Sequence, residues 1–272
     1  MSASQIRSNL KKVYFDDPPP VTFLNDLRPD QVIYRVFSKD RFEEMLSQRK
    51  LALVRPSLWD DPYENFLHQG AIKVDGRLVG LDLLRRSFYG QCWTLKEESD
   101  AIWRIYAPNK NGVRIKTTVQ KLADVLHERT IQMGQRQHSF HKCFIGKVSY
   151  RDEVEMHRLM TDNETRLAMI ADTAGRSPAM TLLFKRPAFS HEEEVRAIYN
   201  TVGESQKNVY GDVLLFDFDP ATFIDEICFD PRMLTIYEQE KAKLESSGVA
   251  IPITCSTLYK PISDNLLWGK SD

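Results

Sequence analysis

Short apolar runs dominate the hydrophobic pattern of this chain, and long amphipathic stretches are few. A β-branched and aromatic run at 32–37 predicts a first strand. Similar runs predict strands at 51–54, 88–94, 113–117, 144–150, 213–218 and 223–229, and a tight hairpin at 71–80. Apolar spacing and capping residues predict helices after Ser38, at 100–106, 118–133 and 152–172, and from Pro231. Because strands and helices mix without regular βαβ spacing, we predict an α+β fold with a largely antiparallel sheet.

The segment 185–199 combines three consecutive acids with an apolar, strand-like run. If the chain is extended from Glu194 onward, side chains alternate between faces, so Glu192, Glu194 and Arg196 share one face. Such a charged face is better tolerated in a polar cleft than in a core. The acids also fit the spacing of a capping box at a helix start. The β-branched and aromatic residues that follow favour a strand, which makes this segment a candidate catalytic edge.

Length and composition are those of an ordinary globular protein. The 272 residues suit one large domain or two small ones, with 42% apolar and 28% charged residues. We predict an N-terminal arm over 1–30 and a single domain over 31–272. With 37 basic and 38 acidic residues, the net charge of -1 argues against coating nucleic acid by bulk charge, although a local basic cleft remains possible.

The cysteines and the N-terminus indicate the cellular setting. Cys92, Cys143, Cys228 and Cys255 form no C-x-x-C pair, so neither a structural zinc site nor a disulfide framework is predicted. The first residues lack the apolar core of a signal peptide, and no run of about 18 apolar residues could span a membrane. A cytoplasmic protein without a bound metal is the simplest expectation.

Tyr34 and Arg35 lie in the middle of the first predicted strand. An arginine flanked by apolar residues needs a partner, and a phosphate or carboxylate offers the bidentate geometry that guanidinium prefers. An internal Arg–Glu pair, or an edge position that faces water, is an equally good interpretation of Arg35 taken alone.

A second candidate group joins a strand end with aromatic residues. Thr94 ends the strand 88–94, and Trp103 and Tyr106 follow on a short helix. A hydroxyl beside aromatic rings can orient a ribose or steady a flat ring by stacking. Because the two aromatic residues are three positions apart on a helix, packing into the core is the stronger alternative for them.

The polar loop at 129–142 is rich in basic residues. His138 and His141 could bind a metal, but no acidic partner lies nearby in sequence, so a solvated loop is the better interpretation. Together with Arg129, Arg136 and Lys142, the same loop could contact a polyanion.

Taken in order, these segments resemble a bacterial domain-of-unknown-function family that is grouped with the ADP-ribosyltransferase superfamily. The resemblance covers about residues 31–230. It is carried by these motifs: Tyr34-Arg35, Trp59-Asp60-Asp61-Pro62-Tyr63-Glu64, Cys92-Trp93-Thr94, Trp103, Tyr106 and Gly112, and Lys185 with Phe189-x-x-Glu192-x-Glu194-x-Arg196. It implies an ADP-ribosyltransferase-like fold, with a split, mainly antiparallel β-sheet core and flanking helices.

The resemblance also implies a role for each motif residue. Arg35, with Tyr34 beside it, would bind the pyrophosphate or adenosine side of NAD, and Thr94 would be the first hydroxyl of a Ser-Thr-Ser strand end. Glu194 would hold the nicotinamide ribose, Glu192 would activate or position the acceptor, and Tyr106 or Trp103 would stack on nicotinamide. The sequence departs from the family pattern because Cys92-Trp93-Thr94 keeps one hydroxyl of that triplet. Which of residues 192–194 is catalytic depends on strand register.

The function implied is an NAD-dependent ADP-ribosyltransferase with NAD as co-substrate. The proteins with which this family is grouped suggest an intracellular bacterial toxin or anti-phage effector, whose activity an antitoxin protein would inhibit. The acceptor would be a macromolecule, and the basic loop favours RNA or another nucleic acid over protein. Two alternatives remain: a catalytically silent module that binds NAD or ADP-ribose, and an NAD glycohydrolase that uses water as the acceptor.

Overall fold

The fold is given by a computed structural model, which describes residues 21–64, 71–74, 77–132, 142–164, 167, 172, 175–202, 204 and 211–260. The chain divides into two units, each made of segments that are distant in sequence. The first unit takes residues 1–33, 50–95 and 118–218, and the second takes 34–49, 96–117 and 219–272. Of the predicted arm, the part from Val21 is described, and the single domain over 31–272 stays a prediction.

Strands and helices alternate irregularly along the described chain. The strands are β1 (Thr22–Leu24), β2 (Val32–Ser38), β3 (Lys50–Val54), β4 (Ala71–Val74), β5 (Arg77–Gly80), β6 (Phe88–Thr94), β7 (Gly112–Thr118), β8 (Cys143–Lys147), β9 (Ser149–Tyr150), β10 (Phe184–Lys185), β11 (Glu194–Asn200), β12 (Val213–Asp217), β13 (Glu226–Phe229) and β14 (Ile253–Cys255). The α-helices are α1 (Lys39–Gln48), α2 (Asp82–Ser87), α3 (Asp100–Tyr106), α4 (Val119–Gln132), α5 (Glu153–Thr161), α6 (Arg176–Thr181), α7 (Pro220–Phe223) and α8 (Tyr237–Ser246). Short 3₁₀ helices are η1 (Pro56–Leu58), η2 (Pro187–Glu192) and η3 (Pro231–Met233).

The first unit is built on a mainly antiparallel sheet. Its strand order is β1-β8-β11-β6-β3-β12, in which β1 pairs in parallel with β8 and the other neighbours are antiparallel. Strand β11 lies between β6 and β8, and all seven of its residues are buried. Because β11 is covered on both faces, its charged residues need partners inside the protein. The core beside it contains Leu24, Phe88, Phe144, Ala179, Leu182, Leu183 and Ile198.

The second unit carries its own strands and core. From Tyr34 onward β2 lies beside β7, β7 pairs antiparallel with β13, and β13 pairs in parallel with β14. Val36, Ile102, Trp103 and Ala107 form a core cluster in this unit.

The predicted α+β fold with a largely antiparallel sheet is confirmed, and most element positions agree. The predicted strand 144–150 is two strands, β8 and β9. The predicted helix 152–172 is interrupted: α5 ends at Thr161, where Asp162 adopts an extended backbone, and the described residues 163, 164 and 167 are helical again. Where a strand was predicted from residue 223, Asp219 caps the short helix α7 and the strand starts only at Glu226. The helix predicted from Pro231 is η3, followed by the separate helix α8.

None of the helices in the described part of the chain is both long and apolar enough to cross a bilayer.

Candidate active site

Five ionisable side chains meet in the first unit, beside the start of β11. We call Glu64, Lys185, Glu192, Glu194 and Arg196 the buried ion cluster. Their side chains are only 0–8% exposed. They come from the segment after η1, from β10, from the end of η2 and from β11, so segments more than a hundred residues apart in sequence build this site.

Arg196 fixes Glu194 in one orientation. Its Nε and Nη2 atoms donate to Oε1 and Oε2 of Glu194 at 2.8 and 2.9 Å, the bidentate geometry that restricts a carboxylate most strongly. The same guanidinium donates to the Leu182 carbonyl at 2.6 Å and to Glu64 Oε1 at 2.7 Å. Its Cζ atom lies 4.3 Å from the centre of the Trp59 ring. Glu194 and Arg196 therefore share a face of β11, as the alternation of a strand predicts.

Lys185 joins all three carboxylates of the buried ion cluster. Its Nζ atom lies 3.0 Å from Glu64 Oε1, 2.5 Å from Glu192 Oε2 and 3.1 Å from Glu194 Oε2. The ring of Phe189 covers the ammonium, with its centre 4.7 Å away. Lys185 therefore brings the two acids of the Glu-x-Glu motif together.

Glu193, between those two acids, turns away from the cluster. It ends η2 in the left-handed region, with φ of 42°, and its side chain is exposed. An L-residue adopts this conformation at a cost, so the surrounding hydrogen bonds must hold it. The N–H of Leu95 donates to the Glu193 carbonyl at 3.0 Å. This turn explains why Glu192, which precedes the strand, still faces the same cluster as Glu194.

Neighbouring hydroxyls brace the backbone around both acids. Thr94 Oγ1 donates to the Glu192 carbonyl at 2.5 Å, and Thr94 stands opposite Glu194 in the β6–β11 register. The Glu194 N–H donates to the Tyr150 hydroxyl at 3.0 Å. Thr94, whose hydroxyl the sequence analysis predicts at the site, thus lies there. Its hydroxyl contacts the backbone carbonyl of Glu192.

The charges of the cluster do not cancel, because three carboxylates face two cations. Burial alone would raise the pKa of Glu194, but Arg196 and Lys185 outweigh it and lower this pKa to about 2. For Glu64, burial outweighs the same two cations and the pKa is raised. The cluster therefore holds Glu194 ionised, and its carboxyl groups outnumber its cations by one.

A second ion pair lies beside the cluster. Arg186 donates to both oxygens of the buried Asp61, at 3.0 and 3.2 Å. Its guanidinium also stacks against the rings of Tyr63 and Phe189, at 4.6 and 5.5 Å from their centres. This pair secures the loop that carries Glu64 against the segment that carries Lys185.

The other predicted site residues belong to the second unit. Tyr34 is buried beneath the Arg114 guanidinium, whose Cζ atom lies 5.2 Å from the ring centre. Arg35 is half-buried and lies against Phe37 at 5.3 Å. Trp103 packs into the core, which is the alternative that the sequence analysis favours for both aromatic residues. Tyr106, in contrast, is 40% exposed. The structure thus brings Thr94, Glu192 and Glu194 together, and the cofactor-binding roles of Tyr34, Arg35, Trp103 and Tyr106 stay predictions.

The basic loop is only partly described. Arg129 donates to the Leu215 carbonyl and lies 3.5 Å from Glu204, and the buried Lys142 donates to the Val202 carbonyl. These two residues bind protein groups, so they do not form the predicted track for a polyanion. Arg136, His138 and His141 lie outside the described residues. In the part of the chain that is described, no group of histidine, cysteine and acidic side chains could hold a metal.

The second unit also has an open groove of about 610 Å³. The groove is lined by residues of α1, of the start of α7, and of the end of α8 with the segment that follows it, and none of them is a predicted site residue.

Sequence reasoning gave no role to Lys185 or Glu64, although both occur in the motifs. Their only sequence signal is a charged residue next to apolar or aromatic neighbours, which is common on any surface. What distinguishes them is burial against the motif acids, which depends on contacts across the sheet.

Comparison with known proteins gives a partial family match. A family model described as "Protein of unknown function (DUF2971)" matches residues 102–197, which include Lys185, Glu192, Glu194 and Arg196. The resemblance to a domain-of-unknown-function family is confirmed over that segment. No curated protein matches the sequence.

Among solved structures, the chain is similar to DarT of Thermus sp. 2.9. The complex with ADP-ribosylated ssDNA has a TM-score of 0.37 and 10% identity, and covers 85% of this chain and 96% of that one. The complex with NAD+ has a TM-score of 0.36 and 12% identity, with 85% and 97% covered. The complex with carba-NAD+ has a TM-score of 0.35 and 13% identity, with 84% and 96% covered. At such low scores, the function of this chain has to be argued from its own residues.

Proposed function

We propose that this protein is an NAD-dependent ADP-ribosyltransferase whose reacting groups are Glu194 and Glu192. The observation that carries the proposal is the buried ion cluster, in which Lys185 joins the two carboxylates and the acidic groups outnumber the cations by one. A site of this kind favours a substrate that is positively charged or becomes so during reaction.

The chemistry of NAD meets that requirement twice. Its nicotinamide ring is cationic, and the ribose gains oxocarbenium character when the bond from C1′ to the ring nitrogen breaks and both electrons go to nicotinamide. An ionised carboxylate beside C1′ stabilises this transition state. Glu194 suits the role because its pKa of about 2 keeps it ionised at neutral pH.

Glu192 is the better placed of the two acids to meet the acceptor. Among the described residues, Lys185 alone donates to its side chain, through Oε2, so Oε1 retains capacity to accept a proton. The acceptor nucleophile would attack C1′ and give its proton to Glu192. Arg35, with Tyr34, is proposed for the pyrophosphate or adenosine side, Thr94 for the ribose side, and Trp103 or Tyr106 for stacking on nicotinamide.

Within this proposal the acceptor is a macromolecule, and we put RNA or another nucleic acid first. A toxin or anti-phage effector, held silent by an antitoxin protein, is the biological role that fits such an activity. Two alternatives compete with transfer: an NAD glycohydrolase, for which water takes the place of the acceptor, and a silent module that binds NAD without turnover.

The test is nicotinamide release from NAD by the wild type and by single glutamine variants. Glu194→Gln removes the fixed negative charge, so we expect release to fall by at least about 100-fold. Glu192→Gln should lose transfer to the acceptor to a similar extent, because no group then takes the proton. Glu193→Gln is the matched control, since its side chain is exposed, and it should keep wild-type activity.

Each variant is also checked for folding by circular dichroism and thermal unfolding. Release that survives in folded Glu194→Gln, or a loss of equal size in Glu193→Gln, would contradict the assignment. Labelled NAD then separates the alternatives in mixtures that contain RNA, single-stranded DNA and protein. Label in a macromolecule supports transfer, free ADP-ribose alone supports a glycohydrolase, and binding without any release supports the silent module.

A further inference from the structure

We infer that Lys185 is a positioning residue, which holds the carboxylates of Glu192 and Glu194 side by side for the reaction. The inference rests on the proposed function and adds a residue to it. The sequence motifs do not assign this role to Lys185. The residue precedes the Glu-x-Glu pair by several positions and belongs to a different strand, β10.

The contacts of Lys185 leave no donor free for a substrate. An ammonium group has three N–H donors, and three carboxylates lie within 3.1 Å of Nζ. The side chain is 8% exposed, and the ring of Phe189 covers the ammonium. Lys185 therefore acts through its neighbours and does not contact NAD itself.

Two carboxylates repel each other when both are ionised, and a shared cation removes that repulsion. Glu194 has a second cation of its own in Arg196, but for Glu192 the described residues offer Lys185 alone. Without Lys185, the Glu192 carboxylate has no side-chain donor among the described residues that keeps it next to Glu194. Thr94 holds the Glu192 backbone, and the spacing of the two carboxylate groups depends on Lys185.

Groups from every neighbouring element face the ammonium. They are Glu64 from the segment after η1, Glu192 from η2, and Glu194 from β11, with Arg196 behind them. The Tyr150 hydroxyl of β9 accepts from the Glu194 backbone next to them. Removal of Lys185 leaves three carboxylates with one cation, so at least one of them should take up a proton at a higher pH than before.

The experiment measures nicotinamide release against NAD concentration and pH for the wild type and for Lys185→Met. We expect kcat to fall between about tenfold and 100-fold, because the acids are displaced by about an ångström. KM for NAD should stay within about threefold, since Lys185 does not contact NAD. The acid limb of the kcat profile should move to higher pH, a shift that loss of packing alone would not produce. Lys185→Arg, which keeps the charge, should restore that limb.

Two further variants serve as controls, one for the loss of a lysine and one for the change in charge balance. Lys50→Met removes a lysine from an exposed pair with Asp217 in the same unit and should behave as wild type. Lys185→Met combined with Glu64→Gln removes one cation and one carboxylate, so the charge balance is kept and the protein should fold. Because nothing then joins Glu192 to Glu194, its kcat should remain low.

A wild-type kcat in Lys185→Met, or its recovery in the double variant, would overturn the positioning role. A wild-type protein that releases no nicotinamide would instead refute the proposed function, and the inference would fall with it.

Discussion

At the scale of single residues, the site depends on a glycine in β6, where a side chain would have no room. A Cβ on Gly90 in β6 would lie 2.5 Å from Cζ2 of Trp59, closer than real Cβ contacts allow. Trp59 in turn supports the guanidinium of Arg196. The missing side chain at position 90 therefore allows the indole to lie beneath the arginine that orients Glu194.

We predict that Gly90→Ala destabilises the protein by about 1–3 kcal/mol, because the indole must move and the core is overpacked. Urea unfolding measures this loss, and nicotinamide release should fall with it as Arg196 loses its support. Gly80→Ala is the control, since its Cβ would meet only a flexible Asp82 side-chain oxygen at 3.2 Å. Equal effects of the two substitutions would show that crowding at Trp59 is not the cause.

At the scale of elements, the junction between η2 and β11 is what brings the two acids to one place. A regular strand through residues 192–194 would also put both acids on one face, but η2 ends with Glu192, and the left-handed Glu193 links it to the strand that begins at Glu194. The hydroxyl of Thr94 in β6 ties this junction to the sheet.

Thr94→Val should weaken that junction while its side-chain volume is kept. The Glu192 carbonyl loses a buried donor, so we expect a loss of about 1–3 kcal/mol in the free energy of unfolding and about tenfold in kcat. Thr94→Ser keeps the hydroxyl and should retain most of both. If the valine and serine variants match in kcat, the hydrogen bond does not position Glu192.

At the scale of the whole molecule, buried charge makes stability depend on pH. Glu194 has a pKa of about 2 in the folded protein, against an ordinary value of 4.5, so its stabilising contribution is present above pH 4.5 and is lost as the pH falls through 2. Glu64 acts in the opposite sense. Its pKa is raised by burial, so its contribution is present below pH 4.5 and is lost as the pH rises through the folded value.

We therefore predict that the difference in unfolding free energy between wild type and Glu194→Gln shrinks between pH 4.5 and pH 2. Over this range the difference should shrink by about 3 kcal/mol, the free energy that corresponds to the pKa shift of the Glu194 carboxyl group. Denaturant unfolding at several pH values measures it, with Glu193→Gln as the control for an exposed neighbouring carboxylate. A difference for Glu194→Gln that does not change with pH would mean that the buried ion cluster does not hold this carboxylate ionised.

The sequence by itself determined the fold class, the position of β11 and the order of the candidate acids, because hydrophobic periodicity and motif spacing are local properties. It left the register of residues 192–194 open and gave Arg196 no partner from another part of the chain. Only the tertiary structure decided that Glu193 faces solvent and that Lys185 and Glu64 complete the cluster. Arg196 and Glu64 are 132 positions apart, and no local pattern reports a contact over that separation. The charges of the buried ion cluster interact strongly because they are buried, and they become buried only when the sheet has formed.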